Sequence, residues 1–227
     1  MVKGIKIVSP KFGGSKGDYN FDKKDNKIYK GVSSIKFLSK QIGDELYTLS
    51  QSKNYTYFPE LLQDMIQNTS INEKGRTILT KLNYFSDFGK SQKLLDYMRL
   101  YNEFYGRKQI KKDGEYSIPV EEIAKYCGRE TAKQYSEFDY EALLRDQWDK
   151  LENKSISLPE YIRTEKEFLG YVQFSHPKLK DLYFIDELSV YKDKNKPYLT
   201  LYSLEYGRSI RCRVKNSATF SSKPFTK

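Results

Sequence analysis

The spacing of hydrophobic positions changes twice along this chain. Residues 1–30 carry short apolar runs between turn signals: Ile5-Lys6-Ile7-Val8 stops at Pro10, Gly13-Gly14 marks a turn, and Tyr19-Asn20-Phe21 precedes a turn at Asp25-Asn26. Such runs predict strands and turns. Over residues 32–105 the apolar positions fall three and four apart, the period of an amphipathic helix. Ile35, Leu38, Ile42, Leu46 and Leu49 form the first stripe. Pro59 opens a helix with Leu61, Leu62, Met65 and Ile66; Asn72 caps one with Ile78, Leu79 and Leu82. Gly89 breaks the chain, and Ser91 caps a helix through Tyr97, Met98, Tyr101 and Phe104 that ends at Gly106. Residues 107–118 read as a polar loop, 119–126 and 137–153 as helices, and Pro159 opens a last helix through Leu169. After His176-Pro177 the period returns to that of strands, at 182–185, 198–202 and 210–214, with turns at 193–197 and 205–208. The expected class is α+β.

Composition narrows the functional classes. Of 227 residues, 38% are apolar and 31% charged, and 20 Tyr and 13 Phe supply much of the packing mass. No apolar run reaches the roughly 18 residues of a membrane span, and the N-terminus lacks the apolar core of a signal peptide. Cys127 and Cys212 give neither metal spacing nor a disulfide framework, which fits a reducing cytoplasm. The net charge is +10. It is blocked: residues 1–40, 71–112 and 171–227 are basic, and 41–70 and 113–170 are acidic. Separate basic blocks suit a polyanion touched by particular parts of the chain. A lysine-rich composition would give the same total.

Catalytic chemistry is thinly represented. Gly13-Gly14-Ser15-Lys16 lacks the first glycine and spacing of a phosphate loop. Asp18, Asp22 and Asp25, the only clustered aspartates near a strand, lie in a lysine-rich turn and read as solvated. The single histidine, His176, reads as a turn residue, so neither a His-based metal cluster nor a triad is expected. No cofactor is expected.

The order of four stretches resembles the C-terminal part of the bacterial DNA polymerase III alpha subunit, the C-family replicase. Lys3-Gly4-Ile5-Lys6-Ile7-Val8-Ser9-Pro10 is similar to the end of that family's fingers. Tyr29-Lys30-Gly31-Val32-Ser33-Ser34-Ile35-Lys36 is similar to the start of its tandem helix-hairpin-helix domain. Leu82-Asn83-Tyr84-Phe85-Ser86-Asp87-Phe88-Gly89, then Leu94-Leu95, resembles the second hairpin. Glu165-Lys166-Glu167-Phe168-Leu169-Gly170, then Ser175-His176-Pro177, resembles the lead into an OB-fold. The resemblance implies four segments: 1–30, an extended piece of the fingers; 31–106, the tandem hairpin domain; 107–160, an acidic helical linker; and 161–227, an OB-like domain. It departs at the first hairpin, which reads Lys36-Phe37-Leu38-Ser39 where the family is glycine-rich, and the family's catalytic palm would lie upstream.

The resemblance also implies a non-catalytic module of a replicase in a bacterial or phage-infected cytoplasm. It would hold double-stranded DNA by sequence-independent phosphate contacts and support processive replication. The candidate DNA contacts are Lys36, Ser39, Lys40, Lys81, Ser86, Gly89, Lys90, Ser91 and Lys93. The second hairpin is the stronger expectation, with Ser86, Gly89 and Ser91 presenting amides at a helix start. Tyr198, Tyr202, Arg211 and Arg213 are candidate single-strand contacts, since OB-folds stack bases on aromatic rings. Gln134 and Phe138 bound a candidate sliding-clamp peptide. The alternative is a phage-type interaction protein that mimics the replicase tail to engage a clamp or another replication protein.

Overall fold

The computed structural model describes residues 4–189 and 198–213. It is α+β and divides into two compact units, Met1–Ile156 and Ser157–Lys227. Among the described residues no helix is long and apolar enough to cross a membrane. Of the segments expected over 1–30, 31–106 and 107–160, residues up to 156 fall in the first unit and 157–160 in the second.

The first unit begins with β1 (Lys6–Val8), β2 (Asn20–Asp22) and β3 (Lys27–Tyr29), ordered β1-β3-β2, with β1 parallel and β2 antiparallel to β3. Asp22, at the turn between β2 and β3, accepts the amides of Lys24 and Asp25. A 3-10 turn at Val32–Ser34 leads to α1 (Lys40–Ser52), so Ile35 and Leu38 of the expected stripe precede the helix and are buried in the turn. Three glycines let the amino-terminal segment pass between that turn and α1. A Cβ on Gly43 would lie 2.7 Å from the Gly17 Cα and 2.8 Å from Val32. One on Gly31 would lie 2.4 Å from the Gly17 carbonyl oxygen, and one on Gly17 at 2.4 Å from that of Lys40. The Gly17 amide is held in this gap by Asp44 Oδ1 at 2.9 Å.

Three further helices complete the core: α2 (Phe58–Asn68), α3 (Glu73–Lys81) and α4 (Ser91–Phe104). Pro59 sits in the first turn of α2, and Asn72 caps α3 through the Gly75 amide at 2.8 Å, both as expected. Phe58, fully buried, is surrounded by the rings of Phe85, Phe88, Tyr97 and Trp148, with centroids 5.9 to 6.4 Å away. Phe12, from the amino-terminal segment, meets Phe85 and Phe88 in the same cluster.

The linker expected to be helical is instead half sheet. β4 (Gln109–Lys111), β5 (Cys127–Glu130) and β6 (Gln134–Phe138) form an antiparallel sheet ordered β4-β6-β5, with the four-residue α5 (Val120–Ile123) between β4 and β5. Ile110 and Phe138 turn inward, and Phe138 meets Phe104 of α4. α6 (Tyr140–Lys150), capped by Asp139 on the Ala142 amide at 2.9 Å, contributes Leu143, Leu144 and Trp148 to the core.

The second unit consists of α7 (Leu158–Leu169) and an antiparallel meander of β7 (Tyr183–Ser189), β8 (Tyr198–Ser203) and β9 (Arg208–Arg213), with a bulge between Ile185 and Glu187. The expected turn at 193–197 and Val214 lie outside the described residues. Ser157 caps α7, Pro159 lies in its first turn, and Gly170 ends it at φ +82. Glu165 is fully buried, and its Oε2 accepts the amides of Gln173 and Phe174 at 3.0 and 2.9 Å. A carboxylate that takes two amides fixes the chain leaving α7. Its Oε1 has no hydrogen-bond partner among the described residues, so part of the gain is offset by desolvation. Glu165→Ala should destabilise this unit by about 2 kcal/mol, since hydrogen bonds to charged groups contribute roughly 1.5–3 kcal/mol each. Native-state hydrogen exchange is the check: protection of the Gln173 and Phe174 amides should fall first, and unchanged protection would remove Glu165 from this role.

Candidate nucleic-acid interface

The first turn, residues 35–39, is built by alternate burial. Ile35 and Leu38 are 1% and 8% exposed, while Lys36, Phe37, Ser39 and Lys40 face solvent. Leu38 settles where α3 carries Gly75: its Cδ2 would be 3.2 Å from a Cβ there. The turn closes because Phe37 takes φ +71. That left-handed conformation is strained for a residue with a bulky side chain and is the one glycine adopts readily. Residue 37 thus has a backbone shape that glycine adopts readily, with a ring in place of open space.

Ser39 caps α1, its hydroxyl accepting the Ile42 amide at 3.3 Å. The amides of Ser39, Lys40 and Gln41 have no hydrogen-bond partner among the described residues. A helix start with open amides attracts anions, because the unsatisfied N–H groups and the helix dipole point the same way. Positive charge gathers beside it. The Phe37 ring has the Lys36 and Lys74 ammoniums 5.1 and 3.8 Å from its centroid. Lys74, in the first turn of α3, is not among the residues the sequence points to, because only the fold brings it to residue 37.

Three carboxylates stand near α1, and each is engaged. Asp18 pairs with Lys40 at 2.6 Å, and that hydrogen bond and charge hold its carboxyl below the usual range. Asp44 holds the Gly17 amide, and Glu45 takes both the amide and hydroxyl of Ser70. The Ser70 amide and hydroxyl keep the Glu45 carboxyl below its ordinary value. The Asp18–Lys40 pair is exposed on both sides, and exposed pairs are weak, so a phosphate competes for Lys40 readily.

The second turn, residues 82–90, is arranged differently from expectation. Lys90, not Ser91, is the residue before α4. The Lys90 amide donates to Asn153 Oδ1 at 2.9 Å, and the Gln92 and Lys93 amides donate to the Lys154 carbonyl at 3.0 and 3.3 Å. Ser91 is 2% exposed, and its hydroxyl accepts the Ile156 amide. Ser86 is exposed, but its amide donates to the Asn83 carbonyl. Gly89 has φ +151, and a Cβ there would press on Leu94 at 3.2 Å and Asn153 at 3.5 Å. Of the amides expected to form a cradle, that of Ser86 is taken by the chain itself, while those of Gly89 and Ser91 have no hydrogen-bond partner among the described residues and stand between the engaged amides of Lys90, Gln92 and Lys93. Among the lysines, Lys90 is exposed, Lys81 is half-buried, and Lys93 lies 4.2 Å over the Trp148 ring.

The remaining candidates separate in the same way. Tyr202 is buried with Ile162 and Leu204 in the second unit's core and cannot stack on a base without unfolding it. Tyr198 is brought together with Arg211 and Arg213, whose guanidinium carbons lie 4.9 and 5.7 Å from its ring centre. Gln134 and Phe138 are the ends of β6, a central strand bonded on both edges, and Phe138 is 6% exposed. They do not form an accessible peptide.

The turn readings of the acidic cluster and the histidine agree with their contacts. Asp25 pairs with Lys27 at 2.6 Å. His176 donates its backbone amide to Leu204, and its Nδ1 accepts the Lys178 amide. Ser15 is fully buried and accepts the Lys11 amide, so residues 13–16 form a closed turn rather than a phosphate loop. Among the described residues, no three His, Cys, Asp or Glu side chains are grouped to hold a metal ion. No family model matches the chain, and no curated protein matches it in sequence.

Proposed function

We propose that this chain is a sequence-independent DNA-binding module, the non-catalytic part of a C-family replicase. On this reading, residues 35–39 and 82–90 are the two hairpins of a tandem helix-hairpin-helix domain, and the second unit is OB-like. The observation that carries it is the first turn: the open amides of Ser39, Lys40 and Gln41, beside the Lys36 and Lys74 ammoniums. These groups are donors and cations of the kind that take phosphate oxygens and read no base. The module would hold duplex DNA near the polymerase and aid processivity.

The test is binding of the full chain to mixed-sequence duplexes across a salt series. Affinity should be similar for unrelated sequences and fall steeply with salt, because each neutralised phosphate releases counterions. Salt-independent binding, or none at low salt, would overturn the reading.

A second reading has its own observation. Ile7 and Phe21 are both in register with Ile28 across the amino-terminal sheet, and both are exposed, at 64% and 47%. Ile5 and Tyr19 extend this apolar surface. That favours a protein contact, as in a phage-type interaction protein that engages a clamp or another replication protein. Recovery of replication proteins on the immobilised chain after nuclease treatment, by the wild type but not by Ile7→Asp, would favour it over DNA binding.

A further inference from the structure

We infer that a tyrosine-walled cleft between α2, α4 and α6 is the docking groove for a proline-rich segment of a partner protein, one that carries a basic residue. The inference does not depend on the DNA-binding reading and concerns other residues. Its origin is a spacing. Tyr97, Tyr101 and Tyr105 recur every four residues, so α4 and the residue after it present them as one stripe. Tyr57, just before α2, and Tyr140, the first residue of α6, are brought to that stripe. With Pro59 these rings line a cleft of about 250 Å³. Tyr97 and Tyr101 form its floor, at 3% and 6% exposure, and Tyr57 and Tyr105 its walls, at 37% and 41%. Tyr101 and Tyr105 stack with centres 4.4 Å apart, and Tyr140 stands edge-on to Tyr105 at 5.2 Å. Rings packed against one another in this way need little ordering when an occupant arrives.

The Tyr97 hydroxyl sets the chemistry of the occupant. The side chain is almost fully buried, lines the cleft, and has no hydrogen-bond partner among the described residues. Burial pushes its phenol well above the ordinary value, so it keeps its proton and serves as a donor. A buried donor without a partner is costly, and an acceptor brought by the occupant removes that cost. A polyproline II segment brings such acceptors, because its backbone makes no internal hydrogen bonds and its carbonyls are free. Its rings pack on aromatic side chains, and its conformation is set before binding. Charge supplies the second feature. α2 and α6 belong to the acidic blocks 41–70 and 113–170. Glu60 and Glu141 line the cleft, and the Asp149 charge acts on the Tyr57 phenol. Two cations stand close by: Arg145 in the lining, and Lys53, which Glu60 and Asp64 hold at 2.8 and 2.7 Å. Carboxylates outnumber cations here, and Glu141 has no ion-pair partner among the described residues. A basic side chain is complementary to this rim, and a phosphate backbone is not.

Trp148 reports on the cleft from inside the protein, since Tyr57 and Tyr97 stand edge-on to it at 5.6 and 5.2 Å. The full chain is titrated with an oligoproline peptide carrying one arginine, with oligoproline alone, and with a glycine-serine peptide carrying the same arginine. Trp148 fluorescence should change saturably with the first, saturate at higher concentration with the second, and stay unchanged with the third. Tyr97→Phe, which removes one hydroxyl and almost no volume, should weaken both oligoproline peptides about fivefold, the net worth of one hydrogen bond. Glu141→Gln should weaken only the arginine-bearing one, by about two- to fivefold. Tyr105→Ala, which removes a wall, should weaken both about tenfold or more. Should Tyr105→Ala melt below wild type, the two shape-conserving variants still decide. The inference is overturned if neither oligoproline peptide changes the fluorescence, or if Tyr97→Phe binds them as wild type does. Equal binding of the glycine-serine peptide would make this a site for a bare cation, and displacement of the peptide by duplex DNA would make it part of a DNA surface; either overturns it too. The DNA-binding reading stands or falls on its own salt series in every case.

Discussion

Phe58→Ala should be the most damaging single substitution in the first unit, lowering its stability by about 3–5 kcal/mol, the usual range for a buried Phe. Phe58 opens α2 and has no exposed surface. Its ring is where four parts of the chain meet: Phe85 and Phe88 of the second turn, Tyr97 of α4, and Trp148 of α6, which lies nearly parallel to it at 6.0 Å. Truncation leaves a cavity between elements that cannot close together, because each is fixed elsewhere: the start of α4 by Asn153 and Lys154, and Trp148 also by its contact with Tyr57. Packed aromatic pairs add a further contribution beyond buried area. Chemical denaturation followed by Trp148 fluorescence reads this directly, since Trp148 is the only tryptophan. A loss below about 1 kcal/mol would show that the cluster reorganises around the gap, and that the second turn is not held by α2. Phe58→Leu, which conserves most of the volume, should cost markedly less.

The helical part of this core was legible because helices announce themselves over many residues. Pro59, Asn72 and Pro159 stand within a residue or two of the observed starts, and the apolar spacing of α2, α3 and α4 largely matches their buried faces. The sheet at 109–138 was not legible. Its strands are three to five residues long, and Cys127-Gly128-Arg129-Glu130 offers no apolar alternation. Only Ile110 and Phe138 of the three strands are buried, too few positions to set a period. Glu137 has φ +55 inside β6, so even a correct strand assignment would have misplaced the side chains beyond it.

The candidate site divides along the same line. Lys36, Ser39 and Lys40 are neighbours in sequence, so sequence alone groups them. Lys74 and the closure of the α4 start depend on contacts that sequence does not encode locally; the bond from Lys90 to Asn153 spans 63 residues. Phe37 carries the clearest lesson. A phenylalanine at residue 37 does not predict a left-handed turn, yet the backbone there has φ +71. Residue identity reports a preference for a conformation, and surrounding packing at Ile35, Leu38 and Gly75 can impose that conformation on another residue.

Two triple substitutions weigh the first turn against the second and should differ widely in effect. In Lys36→Ala, Lys40→Ala, Lys74→Ala the slope of log affinity against log salt should fall by about 2.7, at roughly 0.9 per neutralised phosphate. Duplex affinity at low salt should drop by orders of magnitude, equally for unrelated sequences, because phosphate contacts carry no base information. The three side chains are exposed, so stability should change by no more than about 0.5 kcal/mol per site. In Lys81→Ala, Lys90→Ala, Lys93→Ala the slope should fall by about 1 or less. Lys93 is drawn over Trp148, and the amides of Lys90, Gln92 and Lys93 are already taken by Asn153 and Lys154, so a phosphate arriving there finds charge with fewer aligned amides than at the start of α1. Charge with few aligned amides holds a phosphate loosely, whereas charge with several holds it in one place. Fluorescence anisotropy with a labelled duplex across a salt series measures both slopes. If the second triple flattens the salt dependence more than the first, the phosphates lie along α4, and the segment 153–156 must release its helix start when DNA binds.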